Sequence, residues 1–165
     1  MLRIGLMSDT HSYLHPKVFE YFGECDEIWH AGDIGNISVA DQLMAFKPFF
    51  AVYGNIDVNT DASWRFPLDL HLEREGLKVY MTHIGGYPGK YNARAKKILL
   101  ANPPDLFISG HSHILKVMRD SAIGTLHINP GSCGIEGWHR VCTLIRFSID
   151  KGEIKDLEVI ELGKK

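Results

Sequence analysis

Asp9-Thr10-His11, Gly32-Asp33, Gly54-Asn55, Thr82-His83 and Gly110-His111-Ser112-His113 place two carboxylates, one carboxamide and four imidazoles at five widely separated points of a 165-residue chain. A mixed oxygen and nitrogen donor set of this kind suits divalent Mn, Fe, Zn or Ni better than Ca or Mg, which favour all-oxygen shells. Seven donors exceed what one ion takes. They fit two ions that share a carboxylate at ~3.5–4 Å, an arrangement that acidifies water and stabilises charge on a phosphoryl group. Each residue alone also has a plainer reading. Asp9, Asp33 and Asn55 are of types that close turns at strand ends, and His83 could be a hydrogen-bonded core histidine. The set, and not any member of it, carries the chemistry.

Elements in the right order are present to position these residues. Leu2 to Met7, Glu27 to Trp29, Phe49 to Tyr53, Leu77 to Met81 and Leu106 to Ile108 are short apolar runs that read as buried strands, and each stops at one of the polar clusters. Helices are expected from Pro16 to Glu24, from a Ser38 cap to Phe46, and from Lys90 to Ala101, ended by Asn102-Pro103-Pro104. Ligands in open α/β sheets bind outside the carboxyl ends of strands, so the five clusters are expected to share one crevice. The last third changes character. Ile114 to Met118, Ile123 to Ile128, Val141 to Ile149 and Ile154 to Ile160 read as strands joined by tight turns.

The ordered series of motifs resembles the calcineurin-like metallophosphoesterases. The short length, His30-Ala31-Gly32-Asp33, and the late Asn129-Pro130-Gly131-Ser132 are similar to the YfcE-type phosphodiesterase branch. The resemblance implies a four-layer α/β/β/α sandwich of two mixed sheets flanked by helices, over a single domain spanning residues 1–165. It implies that Asp9, His11 and His113 hold one metal, that Asn55, His83 and His111 hold another, and that Asp33 bridges them. Asp33, Asn55 and His83 are expected to act in catalysis. The cofactors implied are two divalent ions, Mn foremost, with Ni, Zn or Fe as alternatives. The implied activity is hydrolysis of a phosphoester, a diester foremost, by hydroxide held between the ions. A phosphomonoesterase or nucleotidase on the same site is the first rival. A partner-binding scaffold, like the retromer subunit related to this family, is the second.

The chain departs from the family at Ile56. Many members carry His directly after the motif Asn, where it assists the leaving group, and Ile can supply no proton. The YfcE-type branch also lacks that His, so the departure points to substrates with good leaving groups. A second departure is Ile84-Gly85-Gly86, where close relatives often show Gly-His.

Composition bounds the rest. A chain of this length buries ~69% of the surface its unfolded form exposes, so it can build a core without staples. Eighteen Lys and Arg against 20 Asp and Glu give a net charge of -2, which argues against a polybasic nucleic-acid or membrane-surface binder. Cys25, Cys133 and Cys142 are too few and scattered for a disulfide framework. With no signal-like or membrane-length apolar stretch, they point to the cytoplasm. The expected partner is a small phosphoester, with self-association left open.

The remaining histidines and aromatics read more plainly. His30 either orients a ligand or is structural, and His127 reads first as core packing, with support of a ligand as the alternative. His15, His71 and His139 belong to the surface or loops. Trp64, Phe66, Tyr87 and Tyr91 either stack a ring at the mouth or pack. Lys90, Arg94, Lys96 and Lys97 read as a solvated helix face, and Asn129 to Ser132 as a tight turn with a secondary role in holding the histidines.

Overall fold

A computed structural model describes residues 1–165. In chain order the elements are β1 (Leu2–Met7), α1 (Lys17–Tyr21), β2 (Glu27–His30), α2 (Ile37–Phe46), β3 (Phe49–Ala51), a 3₁₀ turn at Asn55–Asp57, α3 (Asp61–Arg65), β4 (Asp69–Arg74) and β5 (Leu77–Thr82). They continue as the ribbon β6 (Gly86–Tyr87) and β7 (Lys90–Tyr91), then α4 (Ala93–Ala101), β8 (Leu106–Ile108), β9 (Lys116–Asp120), β10 (Thr125–Asn129), β11 (Val141–Asp150) and β12 (Glu153–Lys164). The large strands form two five-stranded sheets, ordered β12-β11-β1-β2-β3 and β4-β5-β8-β10-β9. Both are mixed. The pairs β1–β2, β2–β3, β5–β8 and β8–β10 are parallel, and β1–β11, β11–β12, β4–β5 and β9–β10 are antiparallel.

The period-2 alternation of β1 assigns its two faces. Ile4 and Leu6 point into a core between the sheets, where they meet Trp29, Val79, Met81, Ile108 and Phe147, all buried. Met7 points the other way and packs with Val18 and Phe22 of the α1 region, Val39 and Leu43 of α2, and Ala62 of α3. Gly5 lies on that outer face because any Cβ there would sit 2.7 Å from the Phe22 ring. On the far side, Tyr80 and Phe107 of the second sheet pack against Ala95 and Leu99 of α4. The result is the expected four-layer α/β/β/α sandwich. Truncating an inner-layer aromatic such as Trp29 to Ala costs about 3–5 kcal/mol.

Several local expectations need correction. The stretch beginning at Lys90 is not helical at first, because Lys90 and Tyr91 pair with Gly86 and Tyr87. The α4 helix starts only after Asn92, whose Oδ1 accepts from the Arg94 and Ala95 amides. Asn36, not Ser38, caps α2, its Oδ1 accepting from the Ser38 amide. Of Pro16 to Glu24, only Lys17–Tyr21 is helical. The strands β9 and β10 each begin two residues later than expected. Both α3 and β4 were unanticipated. The edge strand β4 carries only Leu70 and Leu72 as apolar residues, too few for a hydrophobic signal.

The parallel strands β1, β2, β3, β5 and β8 end on a common edge, and the loops that leave them carry every polar cluster named above.

Candidate metal centre

Asp9 leaves the buried end of β1 with one oxygen committed. Its Oδ2 accepts from the Ser8 hydroxyl at 2.6 Å and from the His111 amide at 3.2 Å. Its Oδ1 is buried without a hydrogen-bond partner. Asp33, after β2, repeats the design. The Ile56 amide donates to its Oδ1 at 3.1 Å, and its Oδ2 faces inward. His11 Nε2 lies 3.3 Å from Asp33 Oδ2 and 3.8 Å from Asp9 Oδ1. His83 Nε2 lies 3.2 Å and 3.7 Å from the same two oxygens, and His113 Nε2 lies 3.1 Å from Asp9 Oδ1. Asn55 Oδ1 sits 3.0 Å from His111 Nδ1. All seven residues singled out in the sequence therefore meet in one place. Six of them fall into two groups compact enough to hold an ion, Asp9-His11-His113 and Asp33-His83-His111, and Asn55 stands beside His111 of the second.

Hydrogen bonds to the far side of the rings decide which atoms face inward. The Ala31 carbonyl accepts from His83 Nδ1–H at 2.7 Å, so the neutral ring turns the Nε2 lone pair toward the carboxylates. The Gly134 carbonyl accepts from His139 Nε2–H at 2.7 Å. His139 Nδ1 then accepts from His113 Nδ1–H at 3.2 Å, which leaves His113 Nε2 free as a lone pair opposite Asp9. His139 is thus not a simple loop residue; it orients His113. Lone pairs pointed at carboxylates repel unless a proton or a cation stands between them. Asp9 Oδ1, His11 Nε2 and His83 Nε2 are all buried and partnerless, a state that costs about 1–3 kcal/mol for each group if nothing fills it. The donors present fit divalent cations.

The electrostatics agree. Burial alone would raise the Asp9 and Asp33 carboxyls. The histidines override it, His11 and His113 at Asp9 and His11 and His83 at Asp33, and hold both well below the usual carboxylate range. Asp33, then Asp9, lift His11 to about 9 against burial. Burial pulls His83 down, but Asp33 and Asp9 outweigh it and the net shift is upward. His111 is lowered, by burial and then by the neighbouring His83.

The loops are shaped for this convergence. Asp9, His11, Asp33, His111 and His113 all have left-handed backbones, with φ between 45° and 70°. Such residues cost of order 1–3 kcal/mol each and persist where surrounding structure over-determines them. The glycine before Asn55 is required by space, since a Cβ on Gly54 would overlap Asp33 Oδ1. Gly110 is required likewise, because a Cβ there would meet Ser8 Oγ and lie 2.8 Å from Asp9 Oδ2.

Two supports, Asp57 and His139, do not stand out in the sequence. Asp57 is fully buried and accepts from the Ile34, Gly35 and Gly54 amides, tying the Asp33 loop to the Asn55 loop. Its only mark in the sequence is its place in the polar stretch Gly54-Asn55-Ile56-Asp57 that follows a strand. His139, noted above, had no sequence signal. Ser132 donates to the Asp9 carbonyl at 3.0 Å. Asn129, whose supporting role was the secondary reading, donates from Nδ2 to the Gly110 carbonyl at 3.0 Å and to Ser112 Oγ at 3.1 Å. His30 is structural. Its Nδ1 accepts from the Gly32 amide, its Nε2 meets Thr10 Oγ1, and burial holds it neutral, down to about 4. His71 stacks on Tyr80, and His15 accepts from the Lys17 amide.

With this geometry in place, the chain can be compared with known proteins. Residues 2–152 match the model of the calcineurin-like phosphoesterase superfamily domain. The chain belongs to that superfamily. A probable metallophosphoesterase of Methanothermobacter thermautotrophicus is 29% identical over 171 residues, covering 97% of this chain and 92% of the relative. A phosphodiesterase of Methanocaldococcus jannaschii is 26% identical over 147 residues, covering 80% of this chain and 84% of the relative. A solved archaeal phosphodiesterase superposes with a TM-score of 0.77 at 24% identity, over 98% of this chain and 100% of that one. As a calcineurin-like phosphoesterase, the protein falls in a family that binds divalent metals, and its candidate ligand groups lie where the strand ends converge. No helix is long and apolar enough to cross a membrane.

Proposed function

We propose that this protein is a cytoplasmic, single-domain phosphodiesterase that hydrolyses a small phosphodiester at a dinuclear metal centre, with Mn²⁺ as the working ion. In this reading Asp9, His11 and His113 would hold one cation, Asn55, His83 and His111 would hold the other, and Asp33 would serve both. The observation that carries it is the set of buried, unpartnered acceptors around Asp9 and Asp33, which two cations would satisfy together. Two cations bound there supply Lewis acidity to a phosphoryl oxygen and lower the pKa of water toward neutrality.

The chain's own residues do the rest. Asp9 and Asp33 stay ionised and neutralise part of the cationic charge. Ser8, His111 and Ile56 fix the outer oxygens of those carboxylates, so the inner ones keep their aim. His139 and the Ala31 carbonyl set the tautomers of His113 and His83. The Ile56 side chain has no proton to give, so the leaving group departs unaided and esters of acidic alcohols are favoured. The curated relative named a phosphodiesterase supports the diester assignment.

The experiment is reconstitution. Metal-stripped protein should regain hydrolysis of an aryl phosphodiester on addition of Mn²⁺, in preference to an aryl phosphomonoester. Failure with every divalent metal would leave the scaffold reading in its place, and a monoester preference would make the enzyme a phosphomonoesterase.

A further inference from the structure

His111 belongs to the candidate centre and also lines a neighbouring cavity of about 280 Å³ that the hydrolytic reading leaves unused. That volume is near the lower end for small-molecule sites, enough for one ring-sized group. The β6–β7 ribbon supplies two aromatic side chains, Tyr87 and Tyr91. Both are anchored. The Lys116 ammonium sits 3.7 Å from the Tyr87 ring centroid. Tyr91 packs edge-on to Phe107 with centroids 5.8 Å apart and donates its hydroxyl to Asp120 at 2.8 Å.

His127 completes the lining. It is 1% exposed, yet it borders this cavity. The Phe107 carbonyl accepts from its Nδ1–H at 3.2 Å, so the neutral ring carries its lone pair on Nε2, which has no protein partner. Burial, with the Lys116 charge adding to it, keeps the ring neutral by lowering it to about 4. Among the polar groups of this lining, Asn92 Oδ1, Ser112 Oγ and Asn129 Oδ1 already accept from backbone amides, so the cavity offers aromatic side chains and one side-chain acceptor without a protein partner, His127 Nε2. A phenyl group would cover that acceptor and leave it unsatisfied, whereas a ring bearing an N–H would pair with it.

We propose that this cavity is a substrate subsite for a nucleobase-like ring, a planar nitrogen heterocycle with an N–H donor to His127 Nε2, carried on one arm of the phosphodiester. The proposal rests on the phosphodiesterase reading above and narrows its substrate to a small nucleoside diester. Aromatic side chains give the ring face affinity, and the unpartnered acceptor gives it orientation.

The test begins with binding to metal-free protein, read by chemical shifts during titration with adenosine, guanosine and cytidine, with ribose as control. At least one nucleoside should bind saturably with shifts at Tyr87, Tyr91 and His127, and at least tenfold more tightly than ribose. His127→Phe should weaken that binding about fivefold, the range for one hydrogen bond. Tyr87→Ala, at a half-buried position that tolerates truncation, should weaken it independently. The same nucleosides should compete with an aryl diester for the Mn²⁺-loaded protein. Nucleosides binding no better than ribose, or equally to wild type and both variants, would overturn the subsite while leaving hydrolysis of the diester intact. Nucleoside binding in a protein that hydrolyses no diester with any metal would overturn the phosphodiesterase reading instead.

Discussion

The Ile56 amide donates to Asp33 Oδ1 over 3.1 Å, while the Ile56 side chain is 41% exposed. One residue therefore serves the centre through its backbone and withholds a proton donor through its side chain. The two roles separate by mutation. In Ile56→His the amide contact remains and an imidazole is added. The variant should speed hydrolysis of alkyl phosphodiesters by at least ~10-fold, toward the range of a positioned acid, and change aryl diesters little. The measurement is kcat/KM across leaving groups of graded pKa. Equal effects on all of them would mean that protonation of the leaving group does not limit the rate.

Gly54 is a steric requirement of Asp33, since a Cβ there overlaps Asp33 Oδ1. Gly54→Ala should displace the carboxylate, lower the metal content measured by elemental analysis, and reduce kcat at least ~100-fold, as ~1 Å misplacements do. Far-ultraviolet circular dichroism should show the fold retained. Full metal content and activity would remove Asp33 from the position assigned to it.

The seven candidate residues were legible because each follows a short apolar run, and the parallel pairing of β1, β2, β3, β5 and β8 does bring those run-ends to one edge. The four layers were legible through the family resemblance that the ordered motifs carry. What escaped the sequence is long-range or weakly patterned. Asp57 is one more polar residue after a strand until its oxygens are seen to collect three amides from two loops. His139 lies 26 positions from His113, and nothing in its neighbours marks the contact. Lys90 and Tyr91 have helix-compatible neighbours, yet the Pro88-Gly89 turn folds them back onto Gly86 and Tyr87 as a ribbon before Asn92 caps α4.

His139 tests whether the tautomer of His113 matters. His139→Phe removes the acceptor for His113 Nδ1–H and should lower affinity for one divalent ion of the pair by about 10–100-fold, the scale for a lost orienting partner. His139→Gln, which keeps an acceptor, should recover most of it. Competition titrations against a metal-sensitive dye would report both. Indifference of both sites to His139→Phe would contradict the orienting role.

Protons stand in for cations when metal is absent. Asp33 and then Asp9 raise His11 from 6.5 to about 9, so its contribution to metal-free stability is full below about pH 6.5 and disappears as pH rises through about 9. A cation must displace that proton. At about pH 7.5, Mn²⁺ uptake should release at least one proton per chain, and added metal should raise Tm more at high pH than at low. Calorimetric titrations in two buffers of different ionisation enthalpy give the proton count. Uptake without release would show His11 outside the metal's reach.

The central claim is that two cations share Asp33. Crystals grown with Mn²⁺ and measured at the manganese absorption edge test it directly. The account predicts two anomalous peaks on either side of Asp33 Oδ2, one against Asp9, His11 and His113 and the other against Asn55, His83 and His111. A single peak, or peaks away from these residues, would contradict it.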